Sequence, residues 1–142
     1  MIKFTIQGQP QGKGRAKVTV RGKYAHAYTP EKTVVYENLI KLSYKQLYNQ
    51  DSNNTKPLLV NIRAYYKIPL MSKVKTQKCI SGLIRPITKP DLDNVSKCIL
   101  DALNGIAYKD DSQVVDLHIT KHYSDEPRVE VEIEELEEQP NE

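Results

Sequence analysis

The stretch Lys89-Pro-Asp-Leu-Asp-Asn-Val-Ser-Lys-Cys-Ile-Leu-Asp-Ala-Leu-Asn-Gly105 carries the clearest helical pattern of the chain. Its apolar residues recur at the spacing of one helix face: Leu92, Val95, Cys98, Ile99, Ala102 and Leu103. Pro90 disfavours helical geometry at Lys89, and Asn104-Gly105 is a usual helix stop. The pattern predicts an amphipathic helix that begins beside Asp91.

Strand and helix patterns lie on both sides of this helix. Residues 2–7 alternate apolar and polar, and residues 58–68 are rich in strand formers. Thr29-Pro30-Glu31 predicts a helix start with Thr29 as its cap, and the helix continues to about Tyr48 with helical spacing at Val35, Leu39 and Leu42.

After the helix, residues 114–120 and 129–133 alternate again, which predicts a β-hairpin around Asp125-Glu126-Pro127. The element order is strand, helix, strand, helix, strand, strand. It indicates an α+β (α/β-like) fold, a small mixed β-sheet packed with two main helices. We expect one domain over residues 1–142, with a mobile basic loop at 8–29, an irregular basic segment at 73–89 and an acidic tail at 134–142.

Charge is distributed unevenly along the 142 residues. Residues 1–90 hold 17 Lys or Arg and three acids, whereas residues 91–142 hold four Lys or Arg and 15 acids. The formal net charge of +3 conceals this asymmetry. A strongly positive field over two thirds of the chain favours a polyanion as partner.

The sequence lacks the patterns of several functional classes. Its two cysteines suggest neither a disulfide framework nor a zinc site, and His118 and His122 on a strand would lie about 13 Å apart. Gly12-Lys13-Gly14 lacks the full spacing of a nucleotide-binding loop, so no nucleotide cofactor is expected. No run approaches the ~20 apolar residues of a membrane span, and we expect a cytoplasmic protein without membrane contact.

Asp91 and Asp93 flank the start of the predicted helix. An aspartate in the position of Asp91 is commonly an N-cap, and an acid in the first turn gains little from the helix dipole. With Asp91 still extended, both carboxylates could instead converge on one Mg²⁺, which prefers few carboxylates plus water and phosphate oxygens.

Lys97 and Asp111 extend this acidic cluster. Lys97 shares a helix face with Asp93, either in solvated ion pairs or beside a metal-bound phosphate. Asp110 and Asp111 follow the helix, where plain turn chemistry also recruits aspartate. A helix of about 13 residues is ~20 Å long, so the spacing leaves open whether Asp111 meets the first pair.

Basic residues predicted to bind DNA phosphates lie in the segments before Asp91, with Tyr24 and Tyr28 placed to stack on exposed bases. The alternative is a solvated, disordered arm. The residues are Lys13, Arg15, Lys17, Arg21, Lys23, Arg85 and Lys89.

The chain resembles the RusA-type Holliday junction resolvases, small endodeoxyribonucleases of bacteria and often of their phages. The resemblance rests on Lys-Pro-Asp-Leu-Asp-Asn-Val-Ser-Lys, then Asp-Ala-Leu-Asn-Gly, then Asp-Asp-Ser-Gln-Val-Val-Asp, and more weakly on the opening strand and Thr29-Pro30. It spans nearly the whole domain. Where some relatives carry a run of arginines before the first aspartate, this chain has only Arg85 and Lys89.

The resemblance implies that Asp91, Asp93 and Asp111 are catalytic and bind Mg²⁺, with Mn²⁺ as a substitute, and that Lys97 assists them. It also implies that the last aspartate is brought to the first two, and that a homodimer resolves four-way DNA junctions by paired symmetric nicks in recombination and repair. Two alternatives are a nuclease for other branched or single-stranded DNA and a non-catalytic DNA-binding module.

Overall fold

Alternating apolar residues build a four-stranded sheet with one buried face. In a computed structural model that describes residues 1–14 and 16–137, ten elements follow each other along the chain. They are β1 (Ile2–Gln7), β2 (Lys17–Arg21), β3 (Tyr24–Tyr28), α1 (Glu31–Lys45), β4 (Leu58–Lys67), α2 (Lys73–Ile80), α3 (Leu92–Ala102), a 3-10 turn (Asp111–Gln113), β5 (Val114–Ser124) and β6 (Arg128–Glu135). The α+β class is confirmed, as are the strands predicted at 2–7 and 58–68.

The main sheet has the strand order β1-β6-β4-β5. β6 is antiparallel to both of its neighbours, whereas β4 and β5 run parallel, with Leu58 opposite Val114 and Lys67 opposite Ser124. The predicted hairpin of the last two strands is therefore wrong, because β4 lies between them. β6 buries Val129, Val131 and Ile133 and takes a central place, while β5 is more exposed and forms an edge.

Both main helices contribute to a single core with the sheet. In α3 the predicted apolar face is confirmed, because Val95, Cys98, Ile99, Ala102 and Leu103 are buried. They share this core with strand residues such as Ile6, Val60 and Val131. The helix is thus held along its length, and its first turn has a defined place beside the end of β4.

Two features of α1 differ from the sequence pattern: the residues that it buries and the residue at its N-cap. Its buried residues are Thr33, Tyr36, Ile40 and Tyr44, whereas Val35, Leu39 and Leu42 are exposed. Both sets have helical spacing, and the larger aromatic set packs inward, where Tyr44 meets Phe4 edge to face. The helix begins at Glu31 after Pro30 at its N-cap, so Thr29 does not cap it.

The segment predicted as a loop over residues 8–29 contains a β-hairpin instead. β2 and β3 pair as a separate two-stranded sheet, and all ten of their residues are exposed. Gly22, with a φ of +61°, supplies the positive backbone angle that a two-residue hairpin turn requires. The strand signal was weak because neither face of this hairpin is buried.

The segment at 73–89, predicted as irregular, begins with α2. Ser72 caps this helix by accepting a hydrogen bond from the Lys75 N–H, and Cys79 is its one buried residue among those described. So little burial leaves no apolar period to read in the sequence. Among residues 1–14 and 16–137, no helix is long and apolar enough to cross a membrane.

Candidate active site

Asp91 and Asp93 lie at the exposed start of α3. Asp91 occupies the N-cap position with an extended backbone (φ −68°, ψ 154°), yet its side chain accepts no capping hydrogen bond. Within the described part of the chain, neither carboxylate forms a hydrogen bond or an ion pair with another side chain. Both carboxylates are therefore exposed at the positive end of a helix, which favours the carboxylates themselves and a phosphate, and the two carboxylates together can bind a cation.

The backbone before Asp91 is held by the end of β4. The buried Tyr66 hydroxyl donates a 2.6 Å hydrogen bond to the Pro90 carbonyl. Burial and the nearby Asp91 charge raise the pKa of Tyr66 to about 12, so this donor keeps its proton at neutral pH. The ammonium of Lys121 on β5 donates to the Thr88 carbonyl at 2.6 Å, which fixes the same segment from the side.

Arg85, which was predicted to contact DNA, forms a hydrogen bond within the protein. Its Nε donates to the Lys121 carbonyl at 2.8 Å, and the side chain is otherwise exposed. Arg85 therefore ties the segment before Asp91 to β5.

Lys97 lies one turn beyond Asp93 on α3 and is exposed. Of the two acids on its helix face, Asp101 pairs with Lys13 instead, and Asp93 lies beyond salt-bridge distance from any cation in residues 1–14 and 16–137. Lys97 lines a cleft of about 430 Å³ together with Thr29 and Ala16, at the base of the hairpin. The alternative of an ion-paired helix face therefore does not describe this lysine.

In the turn after α3, the side chain that caps the backbone is that of Asp110 and not that of Asp111. The Asp110 carboxylate accepts a hydrogen bond from the Ser112 N–H at 3.1 Å, and the Asp110 N–H donates to the Gln113 Oε1 at 2.9 Å, which forms a capping box. These bonds with Ser112 lower the pKa of Asp110. The Asp111 N–H donates to the Asn104 side chain at 2.8 Å, while no hydrogen bond or ion pair to the Asp111 carboxylate occurs in the described segments.

Asp111 does not meet Asp91 and Asp93 within one chain. Asn104 anchors it beyond the C-terminal end of α3, and the 11 residues of that helix span about 16 Å. The parallel pairing of β4 and β5 gives the same separation. Asp111 lies just before Val114, which is opposite Leu58 at the start of β4. Pro90, the residue before Asp91, contacts Tyr66 at the end of β4. The residues that the structure describes contain no group of three acids, histidines or cysteines arranged for a metal.

The two carboxylates at the start of α3 are a donor set that fits Mg²⁺. Mg²⁺ is bound by one or two carboxylates with water and phosphate oxygens completing its shell, and Asp91 and Asp93 offer two such groups. Asp111 of the same chain does not add a third carboxylate to this pair within the described residues. The assignment of all three aspartates to one metal site remains a prediction.

Lys13 was predicted to contact DNA, but in the structure its ammonium forms ion pairs within the protein. Its ammonium pairs with Glu37 on α1 at 2.7 Å and with Asp101 on α3 at 3.5 Å. Burial opposes its charge, but the two carboxylates outweigh burial and raise the pKa of Lys13. Lys13 therefore clamps the chain after β1 onto both helices.

We call residues 9–14 the strap, because this segment crosses the starts of α1 and α3. The Lys13 N–H donates to the Asn94 carbonyl at 3.1 Å, and the Gly14 N–H donates to the Thr33 hydroxyl at 3.1 Å. A Cβ at Gly12 would lie 2.9 Å from the Asn94 Cβ and 3.1 Å from the Pro90 Cβ. The strap thus packs closely against the residue that precedes Asp91.

An open cleft of about 750 Å³ lies between the strap and the starts of both helices. Asp91 lines it, as does Lys89, which was predicted to contact DNA. Lys32 on α1 also lines it and was not predicted. One signal could have found Lys32: a lysine in the first turn opposes the helix dipole and gains nothing there from local structure.

The hairpin presents two unlike faces. Directly opposed residues share a face, so Lys17 and Tyr28, then Arg21 and Tyr24, lie on one side with Thr19 and His26 between them. Val18, Val20, Ala25 and Ala27 form the other side. Lys23 lies in the turn, and Arg15 falls outside the described residues. Cations beside aromatic rings on one exposed face are typical of a single-strand contact.

The chain matches known proteins over nearly its whole length. The family model described as endodeoxyribonuclease RusA matches residues 7–134. The chain is also similar to the uncharacterized protein YqaN of Bacillus subtilis (strain 168), with 42% identity over 138 residues that cover 95% of this chain and 96% of that protein. The family match includes the strap, the hairpin, the two aspartates at α3 and Asp111, and the chain therefore belongs to the RusA endodeoxyribonuclease family.

Proposed function

We propose that the protein resolves four-way DNA junctions as a homodimer, by Mg²⁺-dependent paired nicking. The observation that carries the proposal is the pair Asp91 and Asp93: two exposed carboxylates without a structural role, beside a basic cleft, in a chain of an endodeoxyribonuclease family.

The chain's own residues would divide the work of phosphodiester hydrolysis. Asp91 and Asp93 would hold Mg²⁺, and Tyr66 keeps the backbone before them in place through Pro90. When bound, the ion supplies Lewis-acid polarisation of the phosphate and lowers the pKa of a bound water. Lys97, one helical turn away, is placed to offset negative charge that develops on the phosphate.

We infer that Asp111 of a second copy completes the metal site. Asp111 and the Asp91–Asp93 pair lie at opposite ends of α3, so one chain cannot bring them to one ion. A two-fold axis perpendicular to that direction would relate two copies in antiparallel orientation. Each pair would then face the Asp111 of the other copy, and the dimer would hold two equal sites.

The edge strand β5 offers a surface for this association. Its first half is open, with Val115 64% and Leu117 39% exposed, and it follows Asp111 directly. Two β5 edges that pair around a two-fold axis run antiparallel. Asp111 of one copy would then lie near the Lys121 end of the other copy's β5. Lys121 contacts Thr88 and Arg85, which belong to the segment before Asp91.

Two equal sites related by a two-fold axis suit the symmetry of a four-way junction. Resolution requires nicks in two strands of like polarity, and a two-fold dimer presents its sites with matching orientation. The hairpin would contact the strands near the branch, with Lys17, Arg21 and Lys23 on phosphates and Tyr24 and Tyr28 on unpaired bases.

The test is cleavage of a synthetic four-way junction with labelled strands in Mg²⁺, followed on a denaturing gel. We expect paired symmetric nicks from the wild type, a loss of at least about 100-fold in Asp93→Asn, and full activity in Asp51→Asn, which makes the same charge change at a remote surface position. Equal nicking by Asp93→Asn, or binding without nicks in the wild type, would overturn the proposal. Faster cleavage of flaps or single strands would make the junction the wrong substrate.

A further inference from the structure

The cleft beside Asp91 has a charge pattern that the chain's overall composition does not reveal. It is lined by three lysines and one acid, Asp91. Lys13 is committed to Glu37 and Asp101, at 2.7 and 3.5 Å. Lys32 and Lys89 are exposed and lie beyond 4 Å of any carboxylate in the described part of the chain. The accessible positive charge of the cleft therefore comes from Lys32 and Lys89.

These two lysines lie on different elements and face a common space. Lys32 belongs to the first turn of α1, and Lys89 to the segment before α3 that Tyr66 and Lys121 hold in place. The strap forms the wall between them, and its glycines allow close packing, because a Cβ at Gly12 would lie 2.9 Å from the Asn94 Cβ and one at Gly14 would lie 2.5 Å from the Thr33 Oγ1. A volume of about 750 Å³ is large enough for a nucleotide with its phosphate.

We propose that Lys32 binds a backbone phosphate of the cleaved DNA strand, next to the phosphate held at Asp91, with Lys89 on the opposite wall of the same cleft. Lys13 is a positioning residue here, because its charge is used to hold the strap on α1 and α3. The inference rests on the proposed function and extends it, since it identifies the surface along which the strand enters.

The neighbouring cleft supports this path for the strand. It shares Lys13, Gly14 and Asn94 with the first cleft and leads past Lys97 to Ala16 and Thr29 at the base of the hairpin. A strand that follows both clefts would pass Lys32 and Lys89, then Asp91, then Lys97, and would reach the basic and aromatic face of the hairpin.

The experiment measures binding of a four-way junction in Ca²⁺, without cleavage, at several salt concentrations. Each lost phosphate contact lowers the slope of log K against log salt by about 0.7–0.9. We expect Lys32→Gln to weaken binding about 5- to 10-fold at moderate salt and to reduce the slope by close to one contact, and Lys32→Arg to restore both. Lys41→Gln removes the same charge from α1 outside the cleft and is expected to leave the slope unchanged.

Cleavage kinetics in Mg²⁺ provide the second readout. Loss of a contact to a phosphate that does not react raises KM and leaves kcat nearly unchanged in Lys32→Gln. Identical slopes and KM values for Lys32→Gln, Lys41→Gln and the wild type would refute the role of Lys32 while junction cleavage itself stands. A wild type that binds junctions with no salt dependence, or cleaves none, would instead refute the proposed function.

Discussion

The hydroxyl of the buried Tyr66 at the end of β4 donates a 2.6 Å hydrogen bond to the carbonyl of Pro90, the residue before Asp91. This contact links the central sheet directly to the start of α3. The strap packs on the other side of Pro90, where Gly12 leaves room for it. The position of the candidate metal ligands is thus determined by the core, although their carboxylates are exposed.

Replacing Tyr66 by Phe removes this hydrogen bond and keeps the ring. We expect a loss of about 1 kcal/mol in the free energy of unfolding, measured in urea, and a fall of about 10-fold in kcat for junction cleavage, because Asp91 loses its backbone support. Affinity for the junction in Ca²⁺ is expected to stay unchanged. A kcat equal to that of the wild type would show that Asp91 needs no support from Tyr66.

Mixing two inactive variants tests whether the metal site is shared between copies. After unfolding and refolding together, Asp93→Asn and Asp111→Asn chains give about half heterodimers. If sites are shared, each heterodimer has one intact site and one with both defects, and we expect nicks in one strand without the paired second cut. If sites lie within one chain, every site has one defect and the mixture stays inactive. Each variant refolded alone is the control.

Gly12→Ala tests the close contact between the strap and α3. The new Cβ would lie 2.9 Å from the Asn94 Cβ, which requires the strap or the Pro90 segment to move. We expect a destabilisation of about 1–3 kcal/mol and a loss of cleavage larger than that of affinity. The change is measured by urea unfolding and by single-turnover cleavage. Wild-type stability would mean that the strap yields without cost.

Lys13→Met and Glu37→Gln, alone and together, measure the ion pair that holds the strap. Because its side chains are only 22% and 16% exposed, we expect a coupling of about 1 kcal/mol at pH 7. The carboxylates raise the pKa of Lys13 in the folded protein, despite opposing burial. The coupling is therefore fully present below the ordinary lysine value of about 10.4 and is lost as pH rises through the higher folded pKa. A coupling that instead disappears between pH 7 and 9 would contradict this assignment.

The two faces of the hairpin allow a matched comparison. Tyr24 lies on the face with Lys17 and Arg21, and Val20 lies on the opposite face, with both side chains more than 60% exposed. Stacking on an unpaired base contributes about 1–3 kcal/mol, so Tyr24→Ala is expected to weaken junction binding by about 5- to 100-fold. Val20→Ala is expected to have no such effect. Equal losses in both variants would indicate that the hairpin responds as a whole and not through its aromatic face.

α3, β1 and β4 were predicted correctly, and each has one buried face. α3 buries the residues that recur at helical spacing, and β1 and β4 alternate between core and surface. α1 misled the prediction because it carries two apolar stripes, and only packing against β1 and α3 selects Tyr36, Ile40 and Tyr44 over Val35, Leu39 and Leu42. The hairpin at 17–28 and helix α2 were missed because they bury almost nothing.

The sequence by itself determined the candidate ligands, the basic segments and the family, because these depend on residue type and on short spacings. Tertiary structure decided which of these residues share a site. Pairing of β4 with β5 in parallel places Asp111 far from Asp91 and Asp93 within one chain, and the ion pairs of Lys13 remove it from the accessible charge, while Lys32 joins the cleft from another helix. Strand order and long-range ion pairs depend on contacts between distant segments, which no local pattern encodes.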